Sequence, residues 1–199
     1  ASITALGSLA VKCKAREQDA MLDTLCCFLK DSSGTVRASA ATGLGLSGAR
    51  ASYSLLALVP LLQDSDGRAR AAAVKALGAF GPAGAIHVEA VTSLLIHDDI
   101  YEVCEAALET LSKFGKEAAG HVVPCLQHTR WEAREAAVKI LGQLPSEFAH
   151  VYAEDFAKCL SDDTMEVRKA AADALLRLPC GEFQAKTLVL IDLSGCDSQ

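Results

Sequence analysis

Aromatic side chains are scarce in this chain, 5% of its 199 residues with a single tryptophan, although 51% of it is hydrophobic. Alanine fills that share instead, and alanine has the highest helix propensity, so the composition points to closely packed helices. No apolar run is long enough to cross a bilayer, which excludes a membrane-spanning helix. The opening residues ASITALGSLAVKCK carry no leading basic region and do not begin with Met, so no signal peptide is expected. The cysteines Cys13, Cys26, Cys27, Cys104, Cys125, Cys159, Cys180 and Cys196 form no CxxC pair and no zinc-like grouping with histidine. In a helical, alanine-rich chain they point to a reducing compartment, and the expected location is the cytoplasm. No HExxH and no GxSxG turn occurs, so neither metal nor nucleophilic catalysis is expected, and no cofactor. The formal charge of −6 weighs against a general nucleic-acid binder.

What the chain does contain is one phrase written repeatedly: DGRARAAAVKALGAFG at 66–81, WEAREAAVKILGQLP at 131–145, TMEVRKAAADALLRLP at 164–179. Anchored on Val36, Ala69, Val103, Ala133 and Val167, the copies are 33, 34, 30 and 34 residues apart. Four residues after each anchor stands Ala40, Ala73, Ala107, Ala137 or Ala171, and eight after it Leu44, Leu77, Leu111, Leu141 or Leu175. These offsets share one side of a 3.6-residue helix, so each phrase predicts an amphipathic helix. Alanine at the same place in all five copies predicts a neighbouring helix too close for a larger side chain. The opposite face holds Glu105, Glu109, Glu135, Lys139, Lys169 and Asp173, with no single sign of charge. Any partner there is expected to be recognised by mixed charge rather than by bulk field.

A second apolar helix precedes each phrase, at 53–63, 85–96, 118–127 and 148–160, and the phrases stop at Gly48, Gly81, Gly115, Pro145 and Pro179. The predicted unit is helix, turn, helix, stop. One such hairpin cannot bury its apolar faces alone, whereas a stack can. The expected organisation is one repeat domain over 1–199, with repeats at about 12–48, 49–81, 82–115, 116–145 and 146–179 and half repeats at 1–11 and 180–199. Ile3–Gly7 matches Val74–Gly78, and FQAKTLVLIDL at 183–193 reads as a first helix without its partner. The expectation is a segment of a longer chain, or ends covered by further repeats or other subunits.

The pattern LLxDxxxxVRxxAxxxLGxxG, here Leu61–Gly81 and its copies, resembles HEAT repeats of the short, HEAT-like or armadillo-like kind. The resemblance implies an all-α fold, a right-handed α-solenoid of about five stacked helical hairpins. It also implies a structural ladder of turn aspartates with helix arginines, carried over to Asp31, Asp64, Asp98 and Asp162 with Arg37, Arg70, Arg134 and Arg168. Cys104 and His128 depart from that pattern. None of the histidines is followed by Glu, so the His-Glu pairs of deoxyhypusine hydroxylase, an iron enzyme on this scaffold, are missing.

Cys125 and Cys159 fall in a core column with Phe28, Leu61 and Leu95, where a free cysteine packs as a small hydrophobe, and Cys26 and Cys27 are also read as packing residues. The glycine-rich GLGLSG at 43–48 lies at a helix end rather than before one, unlike a phosphate loop. Two residues before each anchor stand Gly34, Gly67, Tyr101, Trp131 and Met165. Large apolar side chains repeated in register at exposed turns would form a strip suited to a partner, with Arg130 and Arg134 beside Trp131 to hold an acidic group. The other reading is that these side chains fold down and simply pack. Some tubulin-binding HEAT arrays also present a tryptophan on such turns. The function expected is a non-enzymatic scaffold or adaptor for another protein, without membrane insertion. The alternatives the family offers are a HEAT-like enzyme or chromophore-handling factor of the phycobilin lyase type, and a nucleic-acid-binding HEAT-like protein. The mixed outer charges weigh against the basic concave face of the latter.

Overall fold

The computed structural model describes residues 3–10, 15–48 and 54–179, and among them the only regular structure is helical. The fold is an all-α solenoid. The half repeat at 180–199 and the edges of the one at 1–11 lie outside the described residues. The chain divides into two compact units, Ala1–Phe114 and Gly115–Gln199, and the division falls where a repeat ends.

In the first unit, α1 (Ile3–Ala10) precedes three hairpins. These are α2 (Ala15–Phe28) with α3 (Gly34–Ser47), α4 (Leu55–Leu58) with α5 (Gly67–Ala79), and α6 (Pro82–Ala85) and α7 (Val88–His97) with α8 (Tyr101–Phe114). The second helices form a row, α1 on α3, α3 on α5, α5 on α8. The second unit pairs α9 (Lys116–Val122) with α10 (Trp131–Gly142), and α11 (Ser146–Ala149) and α12 (Ala153–Cys159) with α13 (Met165–Arg177); α10 packs on α13. Gly48, Gly81 and Gly115 end their repeats at φ of 55°, 59° and 60°, a left-handed conformation open to glycine at little cost.

The alanine column is fully enclosed: Ala40, Ala73, Ala107, Ala137 and Ala171 are each 0% exposed. Leu44, Leu77, Leu111, Leu141 and Leu175 are buried beside them. The tightest approach between neighbouring second helices, however, is made by glycines nine residues after the anchor. A Cβ on Gly142 would stand 2.7 Å from Ala174 Cβ, one on Gly45 2.9 Å from Ala76 Cα, and one on Gly78 3.0 Å from Thr110 Oγ1. Gly7 meets the backbone of Gly43 more closely still. Thr110, 0% exposed, completes its contact by donating a hydrogen bond to Val74 O at 3.1 Å.

The first helices differ from the continuous apolar helices expected from sequence. Pro60 and Pro124 lack the N–H an α-helix needs, and the chain tightens into 3₁₀ turns at Val59–Gln63 and Val123–Gln127. A third 3₁₀ turn, His150–Tyr152, separates α11 from α12.

Candidate functional site

Every turn between a first and a second helix is built on one scheme. The turn residue five before the anchor accepts a backbone N–H from two residues on: Asp31 from Ser33 (2.8 Å), Asp64 from Asp66 (2.8 Å), Asp98 from Ile100 (2.9 Å), Asp162 from Thr164 (2.9 Å). The arginine just after the anchor donates Nη1 to the carbonyl of that turn residue, Arg37 to Asp31 (2.8 Å), Arg70 to Asp64 (2.7 Å) and Arg168 to Asp162 (2.8 Å). Its other edge reaches forward to the next turn. Arg37 Nε and Nη2 grip Asp64 at 2.7 and 2.5 Å, Arg70 grips Asp98 at 2.6 and 2.8 Å, and Arg134 grips Asp162 at 2.7 and 2.8 Å. These are paired, bidentate and largely out of solvent, the strong form of such a contact. Arg168 makes only the carbonyl contacts among the described residues.

The two departures from the pattern keep the local half of the scheme. His128 accepts the N–H of Arg130 on Nδ1 at 3.1 Å, so it stands in for the aspartate as a turn acceptor. Cys104 Sγ lies 3.4 Å from Asp98 O, the carbonyl that an arginine would otherwise hold.

The arginines hold the ladder carboxylates below the usual carboxylate range: Arg37 acts on Asp64, Arg70 on Asp98, and Arg134 brings Asp162 down to about 2. A depressed folded-state value means that the unfolded chain takes up protons first as pH falls. The stabilisation is complete above the unfolded value near 4 and disappears as pH drops through about 2. Stability measured by urea unfolding between pH 5 and pH 2 is therefore expected to fall, with Asp162 alone contributing about 2 kcal/mol. Asp162→Asn should lower stability at pH 7 and flatten the curve in that window. An unchanged slope in the variant would refute the assignment.

With the turns accounted for, the register two before the anchor separates into two kinds. Gly34 and Gly67 are covered by the following turn, the first by the Asp66 carboxyl and the second by the Ile100 side chain. In the first unit Tyr101, the first residue of α8, is 74% exposed. In the second unit Trp131 and Met165, the first residues of α10 and α13, are 39% and 50% exposed. Trp131 is thus partly packed, while Tyr101 and Met165 stand out. Arg130 lies 3.8 Å from Glu132. Arg134 has to be withdrawn from the proposed acidic-group site. All five of its N–H donors are occupied, on Asp162, on Asp163 Oδ1 (2.6 Å), and on the carbonyls of His128 (2.9 Å) and Thr129 (3.2 Å).

Cys125 and Cys159 are 2% and 8% exposed, and burial pushes both thiols up, Cys159 to about 11, which makes them poor nucleophiles. Cys27 is exposed and so is not a packing residue. Among the described residues no three His, Cys, Asp or Glu side chains gather where they could hold a metal ion, and no helix is long and apolar enough to cross a membrane. Among the described residues of the second unit are open depressions of about 170 and 160 Å³. The larger lies between α10 and α13 over Val138, Gly142 and Ala174, rimmed by Lys139, Asp173 and Arg177. Both are well below the volume of ordinary small-molecule sites, roughly 300–1,000 Å³.

Residues 55–123 match the family model for HEAT repeats. That stretch, from α4 to the start of the turn after α9, is where the HEAT model applies. The same spacing of turn and helix residues continues outside that stretch, through Asp31 and Arg37 before it and Arg134 and Asp162 after it. Among solved structures, importin β aligns with a TM-score of 0.76 at 17% identity over 98% of this chain and 31% of its own. This chain therefore spans under a third of the length of that protein. The complex of CpcE and CpcF of phycocyanin lyase from a Nostoc species aligns at 0.57 and 23% identity, covering 78% of this chain and 98% of that one. Crescerin, which uses a TOG domain array to regulate microtubules in the primary cilium, aligns at 0.57 and 22%, covering 85% and 81%. At these identities the likeness is one of fold. No curated protein sequence matches the chain.

Proposed function

We propose that this HEAT-repeat chain is a non-enzymatic scaffold that holds another protein at the starts of its second helices, in a reducing compartment such as the cytoplasm. One observation carries the reading. The turn aspartates and arginines are occupied within the fold, while Tyr101, Trp131 and Met165, at the same register of three turns, offer large apolar surface to solvent. Exposed aromatic and methionine side chains on a rigid mount are typical anchors of protein interfaces. The buried thiols of Cys125 and Cys159, packed as apolar residues, support a reducing environment.

The test is capture of the partner from the protein's native source by the wild type and by Trp131→Ala. The variant is expected to lose about tenfold or more of the captured partner. Its melting temperature should fall by only a few degrees, since Trp131 is 39% exposed. Intact capture with a large loss of stability would show that Trp131 serves packing alone.

A further inference from the structure

The apolar pair Ile100–Tyr101 in the first unit is mounted more firmly than an exposed turn requires. Ile100 donates its N–H to Asp98 (2.9 Å), and Asp98 is itself gripped by Arg70. The Ile100 side chain rests over Gly67, where a Cβ would come within 3.1 Å of it. Even so, Ile100 remains 41% and Tyr101 74% exposed. A contact residue held in place beforehand loses little freedom on binding.

Along the chain and α8 the charges beside this pair have one sign, and Arg68, which follows Gly67, is paired with Asp66 at 2.7 Å. Asp99, Glu102 and Glu105 are all exposed and adjoin it in sequence or along α8. The arginine found one after the anchor in the other repeats is here Cys104. The guanidinium of Arg70 is neutralised by Asp98, and the first lysine along α8, Lys113, is held by Glu109 at 2.8 Å. We infer that Ile100–Tyr101 is a docking point for a basic segment of a partner protein, one that lays an aliphatic side chain on the tyrosine ring and places lysines or arginines against Asp99, Glu102 and Glu105. This rests on the scaffold reading and adds to it the chemistry of the partner. A cation over the tyrosine face would strengthen the same contact.

The probe is a labelled 12-residue peptide of lysine, leucine and serine, compared with one in which glutamate replaces each lysine, titrated with the full chain by fluorescence anisotropy. The lysine peptide is expected to bind saturably and more weakly as salt rises, and the glutamate peptide not to bind. Tyr101→Ala should raise Kd about tenfold. Glu102→Gln and Glu105→Gln should each raise it about two- to fivefold. Glu154→Gln, on α12 of the second unit, should leave it unchanged. The double reversal Glu102→Lys, Glu105→Lys should transfer preference to the glutamate peptide, and circular dichroism checks that each variant folds. Equal binding of the two peptides, or an effect of Glu154→Gln equal to that of Glu102→Gln, overturns the inference. If the lysine peptide fails but Tyr101→Ala still loses the captured native partner, the partner chemistry is wrong and the scaffold reading stands. Capture that survives both Tyr101→Ala and Trp131→Ala defeats the scaffold reading itself.

Discussion

Arg134→Ala is expected to destabilise the protein by about 3–5 kcal/mol, the range for removing one partner of a buried ion pair. Two effects add. Asp162, its side chain 10% exposed, is left with one backbone N–H and no guanidinium, and the carbonyls of His128 and Thr129 lose their donor. The internal control is Arg168→Ala in the same register. Arg168 holds the carbonyls of Asp162 and Asp163 but no described carboxylate, so its loss should cost about 1 kcal/mol, the net worth of an ordinary hydrogen bond. Urea unfolding of the two variants measures the difference directly. Equal losses would mean that the forward grip on the next turn adds nothing beyond the local turn contacts, and the ladder would have no stabilising role.

The second large effect is expected at a glycine. Gly142→Leu should destabilise by about 3 kcal/mol or more, because overpacking a closed contact forces the helices apart. In a chain of this size that lowers the melting temperature by roughly 6–12 °C. The obstruction is specific: Ala174 Cβ lies 2.7 Å from where the new Cβ must go, and Ala174 Cα 3.3 Å. A helix-propensity argument predicts the reverse sign for Gly142→Ala, since alanine is favoured over glycine by about 1 kcal/mol in a helix. Coupling decides the matter. Ala174→Gly should relieve the strain in Gly142→Ala, giving a non-additive pair; additive effects would show that the two helices do not close on this point.

These two sites also mark how far the fold could be read from sequence. The repeat, its hairpin unit and the enclosed alanine column followed from offsets within single helices, since one helix's period decides which side chains share a face. The ladder residues were visible as columns too, Asp64 with Arg70 and Asp162 with Arg168. The direction of the grip was not, because Arg37 reaches past its own turn to Asp64 and only the spacing of neighbouring turns sets that reach. Nor was the glycine contact, since Gly142 inside a helical phrase reads locally as a weakness and gains its purpose from Ala174 on another helix. His128 looked like a broken rung, yet an imidazole nitrogen accepts a turn N–H as a carboxylate does. At the candidate site the register of Tyr101, Trp131 and Met165 was legible, whereas their unequal exposure depends on what the surrounding chain covers.

The reach of the arginines has a consequence for how the molecule is made. Each grip joins residues only 27 or 28 apart in the chain. Such short separations keep the entropic cost of closing each contact low and favour rapid folding. During synthesis a hairpin can settle against its predecessor once the following turn has left the ribosome, so little sticky surface waits in the open for residues not yet translated.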